Sequence, residues 1–486
     1  MRILLAFALN LGVNFIVGLL VAGFLGPQEF GRFALAIGFG AALQILAFDW
    51  IRLSATRSYA DDPGAGRSGV RATLDRGFLV LAAVLMSLAA GALLLPGGPA
   101  FSGDLLTAAV AFAVANGYFD YQAALLRARF ADRDYGRLVL TKNVLALALT
   151  AGVAWASGSA LATLAGACLG LVGATLALRK QTREPADAGA TGPGTAIAQH
   201  LAYGMPLCLS SLLYLAIPLA DRWFASRWFG FAESGQLALA QDVGLRLVLS
   251  IGTAMDVLLF QFAVRAEKLQ GAPGAHAQIS RNMGAIFATT LPAVAGVWLV
   301  LPSFEALIVP AEFRGPFAHY FTLLLPGLFV FGLTSFALAP AFQIARRTWP
   351  VSAAAAAAMA INLALALGLP KGLDASALAL AQTAAYLAGF CTLLALCALA
   401  RPRAPRLSDI AGATAATAAM CFATLPLRAW EPGLSTLLTQ AAAGMLIYGG
   451  LALAWNVGEL RSMAGQAFAT LRSNRPRKQT RREGTS

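Results

Sequence analysis

The chain has 486 residues, of which 58% are hydrophobic and only 12% are charged, with a mean hydropathy of +0.69 and a formal net charge of +13. This composition excludes a soluble globular protein and indicates a chain that crosses a membrane many times.

Long uncharged runs predict fourteen membrane-spanning helices, each with about 20 mostly apolar residues. The first run, Ile3 to Gln28, follows Arg2 but is longer than the core of a secretory signal, so we interpret it as a retained first span. The predicted spans are 3–24, 32–53, 77–97, 104–126, 138–156, 160–178, 199–220, 234–258, 282–302, 317–341, 348–369, 374–398, 408–427 and 434–457. The expected fold class is an all-α polytopic membrane protein.

The basic residues predict the orientation of the chain. With both termini in the cytoplasm, 29 of the 36 Lys and Arg residues fall on cytoplasmic loops and ends, six fall on the outer face, and Arg246 lies inside a span. This asymmetry follows the positive-inside rule. The positive charge therefore requires no nucleic acid, and the basic tail is expected to lie against anionic lipid, with RNA or a protein partner as the alternative.

One motif occurs twice, 204 positions apart. The segment from Gly26 to Gly40 aligns with the segment from Gly230 to Gly244, and seven of the fifteen positions are identical. Each copy follows one apolar run and opens the next. The matched positions that we take as a structural motif are Gly26 with Gly230, Glu29 with Glu233 and Gly31 with Gly235. A duplicated membrane unit explains this pattern, although a chance match in a chain rich in alanine and glycine is the alternative.

The duplication predicts two pseudo-symmetric six-helix lobes followed by a terminal helix pair. The expected boundaries are 1–180 for the first lobe with spans 1–6, 181–198 for a cytoplasmic linker, 199–400 for the second lobe with spans 7–12, 401–458 for spans 13–14, and 459–486 for the basic tail. Because each lobe holds an even number of spans, the symmetry axis should lie along the membrane normal, with a binding cavity between the lobes. No outward loop is long enough for an enzymatic domain.

Ionisable residues inside spans are functional candidates because they are costly in hydrocarbon. Asp242 and Arg246 lie four residues apart on one face of the eighth span, and Asp256 returns to that face. Two interpretations are open. Asp242 and Arg246 form a buried structural ion pair, or Arg246 faces an aqueous cavity and binds an anionic substrate while Asp242 orients it; the forked guanidinium suits phosphate.

Other polar residues give weaker signals. Asp49 and Arg52 either form an i,i+3 pair or extend to the interface, with Arg52 as a further substrate-binding candidate. Asp120 either carries a coupling proton, as Asp49 and Asp256 could, or pairs with a neighbouring base. Asp221 and Arg222 are expected to cap the outer end of the seventh span. Asn10, Asn14, Gln44 and Asn116 are expected to bridge helices by hydrogen bonds.

The sequence predicts no cofactor and no metal site. It contains no nucleotide-binding loop or dinucleotide fingerprint. Its five cysteines lie in apolar runs and its three histidines are far apart, so neither set has the spacing of metal ligands. Transport would therefore depend on an ion gradient, the membrane potential or the substrate gradient.

The motif Leu25-Gly-Pro-Gln-Glu-Phe-Gly-Arg-Phe-Ala-Leu-Ala, its second copy from Phe229, and Asp221-Arg222 resemble the polysaccharide transporter branch of the multidrug/oligosaccharidyl-lipid/polysaccharide exporter superfamily, which includes the Wzx-like O-antigen flippases. The resemblance implies a non-enzymatic protein of the bacterial cytoplasmic membrane. It implies alternating-access transport of an undecaprenyl-pyrophosphate-linked glycan, with Arg246 near the pyrophosphate. Polysaccharide polymerases and glycosyltransferases are the expected partners. The basic first-span signature of the related lipid II flippases is missing.

Two other functions remain open. A multidrug or small-cation exporter of the same fold would require acidic residues in its cavity and no unpaired arginine. A scaffold or enzyme of a polysaccharide synthase would show glycosyl transfer by the purified protein, or no transport in vesicles.

Overall fold

The computed structural model describes residues 2–61, 66–93, 102–182, 197–344, 349–368, 374–400 and 405–459, together with residues 347 and 461. Regular structure in these ranges is helical. The helices are α1 (Arg2–Asp61), α2 (Gly66–Ala92), α3 (Gly103–Ala128), α4 (Asp132–Leu145), α5 (Gly152–Ser157), α6 (Ala160–Ala177), α7 (Arg179–Thr182), α8 (Ile197–Trp228), α9 (Phe231–Ile308), α10 (Pro316–Gly332), α11 (Ala339–Ile344), α12 (Trp349–Gly368), α13 (Ser376–Ala400), α14 (Leu407–Thr424) and α15 (Leu434–Ala454).

Two of the helices are interrupted, and two pairs are joined. Non-helical backbone at Gly26 divides α1, and non-helical backbone at Gly271 divides α9. Six-residue π-helical segments join α4 to α5 over Ala146–Ala151 and α10 to α11 over Leu333–Leu338. If each divided helix is counted as two, each joined pair as one, and the four-residue α7 is left out, the described residues contain fourteen long helices. The all-α polytopic class expected from the sequence is therefore confirmed.

The composition of the helices fits a lipid environment. Ten helical segments of the described residues are long and apolar enough to cross a membrane. Large apolar side chains on their outer faces are exposed, among them Leu79, Leu88 and Leu446 at 66%, 66% and 76%. Such side chains are stable against acyl chains, and they support a multi-pass membrane protein.

The chain forms two compact units. The first contains the described residues within Met1–Ser250, Phe304–Thr334 and Arg346–Leu396. In its core the ring of Phe78 lies 4.5 Å from that of Phe48 and 6.3 Å from that of Tyr121, between centroids. The second unit contains the described residues within Ile251–Ser303, Ser335–Ala345 and Cys397–Ser486. Its small residues Ala288, Ala413 and Ala452 are buried together, as is common where membrane helices approach closely.

The duplicated motif is visible in the backbone. Gly26 has φ +67° and ψ 172°, and Gly230 has φ +94° and ψ 169°. Non-glycine residues rarely adopt this conformation. Both glycines separate one long helix from the next, so the copies share a local structure as well as a sequence.

Several helix boundaries differ from the prediction, and two of these differences affect the site. The helix that was expected to begin at residue 138 begins at Asp132, because Asp132 and Asp134 occupy its first turn, where acidic groups stabilise a helix. The helix that was expected to end at residue 220 continues to Trp228. Most of the predicted linker 181–198 and nearly all of the basic tail lie outside the described residues, and the predicted domain boundaries remain a prediction.

Candidate functional site

A cavity of about 350 Å³ lies within the first unit, among α1, α3, α4, α6 and α9. Few of the residues that line it are polar, and most of these carry a basic or an amide group: Asn14, Asn116, Lys142, Thr150 and Arg246. The remaining lining is apolar or small: Leu11, Val17, Gly18, Val21, Phe33, Ile37, Phe112, Ala146, Ala167, Gly170 and Leu171. No acidic residue is among the described residues that line it. The cavity therefore combines two cations with an apolar wall.

Arg246 lies about four turns into α9 and reaches across to α1. Its NH1 donates a hydrogen bond to the backbone oxygen of Asn14. The guanidinium fits against α1 because residue 18 is glycine: a Cβ there would be 2.9 Å from NH1. This contact uses a neutral acceptor, so the positive charge of Arg246 is not neutralised by it, and the side chain keeps further N–H donors for a ligand.

Lys142 supplies the second cation of the cavity. Its Nζ donates to Asn10 Oδ1 at 3.4 Å, and Asn14 Nδ2 donates to the same oxygen at 3.2 Å. The Nζ also lies 5.7 Å from the centre of the Phe119 ring, within the range of a cation–π interaction. Lys142 was counted among the cytoplasmic bases, although it falls near the start of the predicted span 138–156. Since α4 begins at Asp132, Lys142 is about 15 Å along the helix.

A chain of hydrogen bonds leads from the cavity wall into the first unit. Asn116 Nδ2 donates to Gln44 Oε1 at 2.9 Å, so these amides bridge α3 and α1 as predicted. Gln44 Nε2 donates to Asp49 Oδ1 and to Asp120 Oδ2, both at 3.2 Å. Arg52 binds Asp49 through Nε and NH2, both at 2.8 Å, so of the two interpretations the structure shows the i,i+3 pair. This pair leaves Arg52 outside the cavity lining.

Of the two interpretations for Asp242 and Arg246, the buried ion pair between them is not what the structure shows. Asp242 forms its ion pair with Arg222 of α8 at 2.5 Å, and Arg222 Nε donates to Gln241 at 2.8 Å. Asp242 and Arg246 do line a second, smaller cavity of about 70 Å³. The helical spacing that placed them on one face was correct, but Arg222 is closer to the carboxylate than Arg246 is.

The position expected for Asp221 and Arg222 is also wrong. They do not cap the end of a span, because α8 continues six residues beyond Arg222, and their exposed fractions are only 0% and 7%. Asp221 Oδ1 accepts a hydrogen bond from Asn362 Nδ2 of α12 at 2.9 Å. These residues connect α8 to α9 and α12 in the interior.

The repeated glutamates bind neighbouring helices. Glu29 Oε2 accepts the backbone N–H of Ala160 at 3.0 Å, at the first turn of α6, and Glu29 Oε1 pairs with Arg32 at 2.6 Å. Glu233 accepts a hydrogen bond from the Tyr320 hydroxyl. The side chain of Asp256, a predicted coupling residue, lies outside the described residues.

Long apolar helices define this chain as a multi-pass membrane protein. Its fold is similar to that of a solved lipid flippase. A structure of the lipid II flippase MurJ in an inward closed conformation matches with a TM-score of 0.74 and 14% identity, over 95% of this chain and 99% of that chain.

Other solved structures match more weakly. A transporter of the multidrug/oligosaccharidyl-lipid/polysaccharide exporter superfamily from Pyrococcus furiosus has a TM-score of 0.49 at 14% identity, over 83% of this chain and 94% of its own. A MATE transporter in complex with MaL6 has a TM-score of 0.48 at 14% identity, with the same coverage. No family model and no curated protein matches the sequence.

Proposed function

We propose that this protein is a flippase that moves an undecaprenyl-pyrophosphate-linked oligosaccharide across the bacterial cytoplasmic membrane by alternating access, with both termini in the cytoplasm. The observation that carries the proposal is the presence of Lys142 and Arg246 in one cavity whose described lining has no carboxylate. Two neighbouring cations in one cavity repel each other, and an anion with more than one negative charge reduces that repulsion.

The chemistry of the two cations matches a diphosphate. Arg246 can donate two parallel hydrogen bonds to one phosphate, and Lys142 acts as a compact point charge for the other. The apolar wall from α1 and α6 suits the first isoprene units of the lipid. The same lining disfavours a cationic drug, because the two basic groups would repel it.

Lipid II is a second candidate substrate, and the similarity to MurJ favours it. Because lipid II also carries a prenyl diphosphate, the cavity chemistry does not separate it from another lipid-linked glycan. We propose the glycan substrate because of the duplicated Gly-Pro-Gln-Glu-Phe-Gly motif. We also propose that the protein is not an enzyme and that polysaccharide polymerases and glycosyltransferases are its partners.

Two assays test this function. In vesicles that contain the purified protein, the proposal expects movement of a fluorescent prenyl-diphospho-sugar between leaflets and no movement of a lipophilic cation. In cells that lack the chromosomal copy, it expects loss of surface glycan; rescue of a strain depleted of its lipid II flippase would instead identify lipid II as the substrate. Glycosyl transfer without lipid movement would overturn the proposal.

A further inference from the structure

One amide holds two carboxylates beside the cavity. Gln44 Nε2 donates to Asp49 and Asp120, and both oxygens lie 3.2 Å from it. Asp49 also receives two hydrogen bonds from Arg52 at 2.8 Å. Asp120 lies in the same cluster of side chains as Asp49 and Arg52, but none of the described ion pairs includes Asp120. Of the two carboxylates, Asp120 is therefore the one whose charge is less well compensated.

Lys142 connects Asp120 to the cavity electrostatically. Its positive charge attracts the Asp120 carboxylate, and it also lines the cavity with Arg246. Arg246 in turn repels Lys142. Among the described residues, the charged groups that act on Asp120 are Asp49 and Arg52 from α1, Lys142 from α4 and Arg127 from α3 itself. Asp75 of α2, a helix that also packs against α3, is bonded to Tyr121.

An anion in the cavity would change the electrostatics of Asp120. The anion would partly neutralise the positive charge of Lys142, and it would add negative charge near Asp120. Both effects disfavour the ionised form of the Asp120 carboxylate. We propose that Asp120 takes up one proton from water when an anionic ligand binds to Lys142 and Arg246. By linkage, anion binding and proton binding then favour each other. This inference rests on the proposed function.

Protonation of Asp120 would also affect the cavity through the amide side chains of Gln44 and Asn116. Ionised Asp120 accepts from Gln44, whereas a protonated carboxyl becomes a donor and weakens that hydrogen bond. Gln44 Oε1 accepts from Asn116, and Asn116 lines the cavity. Gln44 is thus a positioning residue that connects the protonation state of Asp120 to the cavity wall.

The test measures binding of a short-chain prenyl-diphospho-sugar to the purified full-length protein by calorimetry. Each phosphorus of this probe carries one ester and the bridging anhydride oxygen, which leaves a single strongly acidic group, so the charge of the probe stays constant between about pH 6 and about pH 8. Buffers of different ionisation enthalpy then report the protons taken up. We expect uptake approaching about one proton per probe bound, and a Kd that falls by up to about tenfold for each unit of decreasing pH.

Variants assign the proton to its residue. Asp120→Asn should bind the probe without proton uptake and without pH dependence, and Asp120→Glu should restore both. Asp104→Asn is the matched control, because Asp104 is an exposed carboxylate at the start of the same helix; it should behave as wild type. Binding that requires Lys142 and Arg246 but releases or takes up no protons would overturn the inference and leave the proposed function intact. A protein that does not bind the probe at all would overturn the proposed function.

Discussion

Gly31 and Gly235 contact each other backbone to backbone, and the contact is reciprocal. A Cβ on Gly31 would overlap the carbonyl oxygen of Phe231 and lie 2.9 Å from the Gly235 nitrogen. A Cβ on Gly235 would overlap the carbonyl oxygen of Pro27 and lie 2.9 Å from the Gly31 nitrogen. Gly31 and Gly235 are 204 positions apart, as are Pro27 and Phe231, so exchanging the two motif copies maps the contact onto itself. The duplicated motif is thus the place where its own copies pack together.

Alanine at either contact glycine should destabilise the protein. In a helix interior Gly→Ala ordinarily stabilises by about 1 kcal/mol, but here the added methyl group forces the helices apart, at a cost of about 1 to 3 kcal/mol. Thermal unfolding in detergent measures the effect. Gly12→Ala on α1, where a Cβ meets nothing within 4 Å, is the control and should not lower the melting temperature. Equal melting of Gly31→Ala and Gly12→Ala would contradict this packing.

The two positive-φ glycines should differ in their sensitivity. Gly230→Ala meets no atom within 4 Å, so its cost comes from backbone strain, about 1 to 3 kcal/mol. Gly26→Ala has the same strain and also brings a Cβ 2.6 Å from Glu312 Oε2. We expect both variants to melt below wild type. The melting temperature of Gly26→Ala should be below that of Gly230→Ala, or equal to it if the Glu312 side chain moves away. A Gly26→Ala protein that melts above Gly230→Ala would count against this geometry.

The ion pair of Asp242 can be assigned by double-mutant cycles. Asp242→Asn and Arg222→Gln remove partners of one contact, so their effects on unfolding should be non-additive by about 0.5 to 3 kcal/mol. Asp242→Asn and Arg246→Gln should be closer to additive, because Arg246 donates to Asn14 instead. Stability of the single and double variants checks both cycles. Stronger coupling of Asp242 to Arg246 than to Arg222 would restore the pair that the sequence suggested.

Two asparagines in similar sequence contexts should respond differently to replacement. Asn362 is bonded to the buried Asp221, so Asn362→Leu leaves that carboxylate without its amide partner and should destabilise by about 1 to 3 kcal/mol. Asn143 is 2% exposed, and its side-chain atoms have no hydrogen-bond partner in the described residues. Asn143→Leu should therefore be neutral or stabilising in thermal unfolding. A larger loss at Asn143 than at Asn362 would show that a partner of Asn143 exists.

The sequence predicted the fold more completely than the site. Hydropathy located the long helices because each span needs a long apolar run, and the repeat placed Gly26 and Gly230 at equivalent breaks. Spacing along one helix, however, reports only which residues share a face. It could not show that Arg222 from α8 would reach Asp242 first.

Lys142 was missed for a related reason. It lies inside the predicted span 138–156, but close to its start, so it was counted with the cytoplasmic bases. The start of α4 at Asp132 places it about 15 Å along the helix. The acidic pair Asp132 and Asp134, followed by helix-forming residues, was the available signal of an N-terminal turn. The meeting of Lys142 with Arg246 depends on how α4, α1 and α9 pack, which no local pattern encodes.

The central claim is that Lys142 and Arg246 together bind the diphosphate of a lipid substrate. The most direct test is lipid movement in vesicles by Lys142→Gln and Arg246→Gln, with Arg137→Gln as control because Arg137 is an exposed base on the same helix as Lys142. We expect each cavity variant to slow movement of the prenyl-diphospho-sugar by at least about tenfold, as for the loss of about 1.4 kcal/mol of charge-assisted binding, while Arg137→Gln transports as wild type. Unchanged movement by the folded double variant Lys142→Gln/Arg246→Gln would contradict the claim.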